Sequence, residues 1–151
     1  MNREVLGKEY PPYEFPIEAG KIREMANAAF DDNPIYFDKE YAKKKGYSSL
    51  LAPPNFSVVS MFYSNWQQVH QDLARKPGHT SHAEEECIYF KPIVAGDVLT
   101  GQAKVVDIFD KKGRRGGDLT FAVIEETFHN QRKEKVLVVR TTLMEMSEIV
   151  G

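Results

Sequence analysis

The chain has 151 residues, of which 42% are hydrophobic and 28% charged, and a formal net charge of −2. That length suits one domain, residues 1–151, with a genuine core, and the near-balanced charge argues against nucleic acid as the main partner. No apolar run approaches the roughly 20 residues that span a bilayer, and the opening MNREVLGKEYPPYEF lacks a signal-peptide core, so a cytoplasmic chain without a membrane partner is expected.

In chain order, Pro16 through Phe30 predicts a helix, because Ile17, Ile22, Met25, Ala26, Ala29 and Phe30 recur at helical spacing. Asp31 to Pro34 ends it, since the residue before a proline avoids helical dihedrals. Asp38 is placed to cap a short cationic helix, DKEYAKKK, that Gly46 stops. After Pro53 and Pro54, the run Asn55 to Ala74 predicts a helix apolar on most faces, which the rest of the protein must enclose. Lys76-Pro77-Gly78 breaks the chain, and everything beyond predicts strands: Glu84 to Pro92, Val98 to Phe109, Leu119 to Phe128 and Lys135 to Met146. Helices followed by consecutive antiparallel strands make an α+β pattern, and one enclosed helix with a meander implies a sheet wrapped around it.

The single cysteine, Cys87, excludes an internal disulfide and reads as a half-buried strand residue. His70, His79, His82 and His129 show no metal-ligand spacing, so no metal is expected. Lysines 43–45, the segment Lys111 to Arg115 and the segment Arg132 to Lys135 read as solvated faces and turns. The alternative is a docking surface for an acidic carrier protein or for coenzyme A phosphates. The aromatic residues Phe56, Phe62, Tyr63 and Trp66 are candidates for core, for an apolar ligand groove, or for both.

The segment Asp31-Asp32-Asn33-Pro34-Ile35-Tyr36 resembles the Asp-x-Asn-Pro-x-His signature of the MaoC-like dehydratases, a hot-dog-fold family. His82-Ala83-Glu84-Glu85-Glu86, Tyr89-Phe90-Lys91-Pro92-Ile93 and Gly96-Asp97 resemble that family's following strand and turn, and the likeness runs from about Pro16 to Met144. The resemblance implies a single hot-dog domain, an antiparallel sheet around a long central helix. It also implies reversible hydration of an enoyl thioester, with Asp31, Asn33 and Tyr36 at the catalytic positions. Two departures bear on that chemistry. The family's His is a general base near neutral pKa, whereas Tyr36 has a reference pKa of about 10. Where the family uses a Gly amide on the thioester carbonyl, this chain has Pro53 and Pro54, which lack an N–H and leave the amides of Asn55 and Phe56.

This variant is most similar to the N-terminal half of double-hot-dog dehydratases and to the non-catalytic subunit of mycobacterial-type 3-hydroxyacyl-carrier-protein dehydratases. It implies an acyl-thioester-binding subunit for acyl-CoA or acyl carrier protein, with no other cofactor, in a homodimer or a heterodimer with a catalytic subunit. Pro53, Pro54, Asn55, Phe56 and His82 are then candidate substrate contacts. A self-sufficient hydratase using Asp31, or a non-enzymatic acyl-CoA-binding module, stand as alternatives. Asp31 reads equally as a helix terminator, and His82 reads first as a structural or surface histidine at a strand start.

Overall fold

The computed structural model describes residues 1–113 and 117–147. Arg114 and Arg115 of the cationic segment lie outside them. A five-stranded antiparallel sheet runs in the order β1 (Tyr13–Pro16), β3 (Val98–Lys112), β4 (Asp118–His129), β5 (Lys135–Met146), β2 (Thr80–Tyr89). The helices are α1 (Ala19–Ala28), α2 (Lys39–Lys44) and α3 (Trp66–Asp72). Two 3-10 segments, Pro34–Tyr36 and Phe56–Phe62, complete the elements. No helix among the described residues is long and apolar enough to cross a membrane.

Local chemistry accounts for the helix ends. Asp38 accepts from the amides of Glu40 (2.8 Å) and Tyr41 (3.1 Å) at the start of α2, and Gly46, with φ +94°, turns the chain after it. The expected helix at Pro16 begins later, because Tyr13–Pro16 is instead a short edge strand in which Phe15 pairs with Leu99.

The expected run from Asn55 to Ala74 is divided. A 3-10 segment and α3 are separated by Tyr63 to Asn65. Short polar side chains give the backbone other partners there. Ser64 Oγ donates to the Met61 carbonyl (3.3 Å), and Asn65 Nδ2 donates to the Pro11 carbonyl (2.7 Å). The segment is open on one side too, with Val58, Met61 and Phe62 exposed.

The sheet curls over this segment and forms two apolar clusters. Phe15, Tyr36, Phe56, Leu99 and Phe128 belong to one; Val69, Leu73, Val105, Ile124 and Leu143 belong to the other. Phe56 stacks on Phe15 with centroids 5.9 Å apart. Full burial of such side chains contributes about 1.5–3 kcal/mol each.

Candidate functional site

The Asp-Asp-Asn-Pro segment forms a compact turn through its own short side chains. Asp31 Oδ1 accepts from the Asn33 amide (3.1 Å), and Asn33 Oδ1 accepts from the Ile35 amide (3.1 Å), which starts the 3-10 segment at Pro34. Phe30 ends α1 with φ +54°, and its ring is fully in solvent. Asp31 and Asp32 border a shallow depression with Asn27, Phe30, Pro34 and Phe37. Tyr36 points the other way, into the core, and is 7% exposed. Burial, and then the charge of Asp31, pushes its hydroxyl further above the ordinary tyrosine value. A phenol so placed holds its proton at neutral pH and is not a base.

Pro53 and Pro54 lead into the divided segment from another side. The Pro54 carbonyl accepts from Tyr89 Oη at 2.6 Å, and burial raises that phenol to about 12. The Phe56 amide donates to the Pro53 carbonyl (2.9 Å), so it is already engaged, and the Phe56 ring is core. Asn55 is exposed.

A cavity of about 460 Å³ lies between the segment from Ser57 to Arg75 and the concave face of β2, β4 and β5. Strand register explains its floor. Glu126 pairs with Val139, which pairs with Cys87; Ile124 with Thr141, then Glu85; Ala122 with Leu143, then His82. Residues three apart on a regular strand face opposite sides. A bulge between His82 and Glu84 restores them to one side, so His82 Nε2 lies 3.5 Å from Glu85 Oε2 and both line the cavity. Of the predicted catalytic and substrate-contact residues His82 alone reaches this cavity, and of the aromatic groove candidates Trp66 does. Asp31, Asn33 and Tyr36 stay together at their own turn, and Pro54 lies beside Tyr89 in a separate hollow.

Deeper in the cavity, Glu126 on β4 is 4% exposed. Tyr13 Oη donates to its Oε1 at 2.8 Å, and Trp66 Nε1 donates to its Oε2 at 3.2 Å. Burial raises its carboxyl above the usual range, against these two donors. The upper wall carries His70, lowered by burial and then by Arg75. His70 Nδ1 and Arg75 Nε are buried without hydrogen-bond partners. Glu126 was not singled out from sequence, although strand parity carried the signal. Ala122, Ile124 and Phe128 face inward, which puts position 126 on the same side.

The model of the family described as "FAS1-like, dehydratase domain region" matches residues 4–139. A UPF0336 protein of Streptomyces avermitilis is 34% identical over 148 residues, covering 95% of this chain and 94% of its own. Among solved structures, a chain of the C-terminally truncated HadBC (3R-hydroxyacyl-ACP dehydratase) complex of Mycobacterium tuberculosis superposes with TM-score 0.75 at 25% identity, over 95% of this chain and 99% of that one. A MaoC-like dehydratase gives TM-score 0.79 at 25% identity, over 93% of this chain and 42% of that one. The chain belongs to the family of FAS1-like dehydratase domain regions and has the hot-dog fold of the MaoC-like dehydratases.

Proposed function

We propose that this chain is the acyl-thioester-binding subunit of an (R)-specific 3-hydroxyacyl-CoA or 3-hydroxyacyl-ACP dehydratase, acting in the cytoplasm in fatty-acyl metabolism. A partner of similar fold supplies the Asp and His that exchange water across the α–β bond. The observation that carries this reading is Tyr36. It stands where the signature has its base, yet it is buried in the core with its proton held. The exposed Asp31, left without a base beside it, has the geometry of a helix terminator.

The groove supplies what such a subunit needs. A cavity with Val58, Met61, Trp66, Val139 and Leu143 in its lining offers apolar surface to an acyl chain, and Pro53 to Phe56 lead into its rim. The outer edge of β2 pairs with no other strand among the described residues, and an open edge is the natural seat for a partner chain. The likeness to a HadBC chain favours a heteromer over a homodimer. Hydration of crotonyl-CoA and of a longer enoyl-CoA tests the proposal, using the chain alone, the chain with a catalytic hot-dog partner, and Asp31→Asn in both settings. Inactivity alone, turnover when paired, and indifference to Asp31→Asn are expected. Turnover by the chain alone that Asp31→Asn abolishes overturns the proposal in favour of a self-sufficient hydratase.

A further inference from the structure

Glu126 does not suit a groove for a plain hydrocarbon. It lines the cavity beside Val139, opposite Val58 and Met61, and makes no ion pair among the described residues. Tyr13 and Trp66 each engage one of its oxygens, while a carboxylate has about four acceptor positions. Buried hydroxyls continue the polar line, with Ser57, Ser60 and Thr141 facing the same cavity. A saturated acyl chain laid along this line would cover the remaining carboxyl lone pairs and offer nothing in return, which is the costly way to bury them. A chain carrying a hydroxyl at that depth would donate to them instead.

We infer that the groove selects an acyl thioester bearing a hydroxyl along its tail, beyond any at the reacting carbons, and that Glu126 is the residue that sets this specificity. The inference rests on the acyl-thioester reading above. Glu126 also joins β1 to α3 through Tyr13 and Trp66, but a joint of that kind would not rank one ligand above another.

The reporter is built in. Trp66 is the only tryptophan, and its indole touches Glu126. Its emission is followed while the intact chain is titrated with decanoyl-CoA and with monohydroxydecanoyl-CoA isomers whose hydroxyl is moved along the tail. At least one isomer is expected to bind about tenfold tighter than decanoyl-CoA, the worth of one hydrogen bond to a charged group. Glu126→Leu is expected to abolish that preference and the isosteric Glu126→Gln to reduce it. Each preference is a ratio taken within one variant, so a general loss of stability cancels. Equal affinity of wild type for decanoyl-CoA and every isomer overturns the inference alone, as does a preference that Glu126→Leu retains or that Glu126→Gln leaves undiminished. Failure of the wild type to bind any of these thioesters overturns the acyl-thioester reading together with the inference.

Discussion

Replacing Gly101 by alanine would place a methyl group where two rings already lie. Gly101 on β3 faces Tyr13 of β1 directly across the ladder. A Cβ there would come within 2.7 Å of Tyr13 Cζ, 2.8 Å of Phe128 Cε1 and 2.9 Å of Tyr13 Oη. Neither ring yields cheaply. Phe128 is wholly buried, Tyr13 meets it edge-on at 6.3 Å and 88°, and the Tyr13 hydroxyl is committed to Glu126. Overpacking of this kind costs about 1–3 kcal/mol. If Tyr13 swings away instead, Glu126 loses one of two donors, and a hydrogen bond to a charged group is worth about 1.5–3 kcal/mol. The chain takes the lesser penalty, so a loss of about 2 kcal/mol is expected, or a fall in Tm of about 4–8 °C for a domain of this size. Thermal unfolding followed by circular dichroism at neutral pH reads it, with Tyr13→Phe and the double variant alongside. Tyr13→Phe keeps the ring and removes only the donor. If alanine acts by displacing that hydroxyl, the two losses are less than additive. A Gly101→Ala chain that melts within about 1 °C of wild type refutes the reasoning.

Three further outcomes are expected. Burial holds the Glu126 carboxyl above its unfolded value of about 4.3, so its contribution to stability is complete below that pH and lost as pH rises through the folded value. The Tm of wild type relative to Glu126→Gln therefore falls from acid toward neutral pH, and a flat or rising difference contradicts the assignment. Asp38→Ala removes the acceptor at the start of α2 and is expected to cost about 1 kcal/mol in thermal unfolding; no change would show that α2 does not depend on its cap. Burial also raises the Cys87 thiol, so iodoacetamide labels the folded chain at least roughly tenfold more slowly than the urea-unfolded chain, and equal rates would contradict that placement.

What the sequence disclosed follows the range of the interactions involved. Asp38 and Gly46 frame α2 through contacts a few residues apart, and β3, β4 and β5 announce themselves by alternation. The short strand β1 does not. Tyr13–Pro16 is four residues ending in proline, and only its pairing with β3 across the ladder, from Val98 to Gly101, makes it a strand. The break before α3 is hidden for the same reason, since Asn65 finds its partner at Pro11, 54 residues away. The motif at Asp31 was readable as chemistry, yet the inward turn of Tyr36 depends on core neighbours from several elements.

The two polar intrusions into the groove separate these cases further. Glu126 obeys strand parity, so its inward direction follows from Ile124 and Phe128 by counting. His82 and Glu85 break parity, and only the bulge between His82 and Glu84 turns both toward the cavity. An added residue resets the count without any mark in composition, so no reading of residue types could place that pair. A wall built merely to hold hydrocarbon would gain from apolar residues at all three positions. Retaining a buried carboxyl on β4 costs desolvation, while the exposed His–Glu pair from β2 adds a second polar feature to the same groove. That cost is consistent with a groove shaped for a polar feature of a ligand, and the separation of both intrusions from Asp31 fits the division of labour proposed above, in which one subunit binds and another reacts.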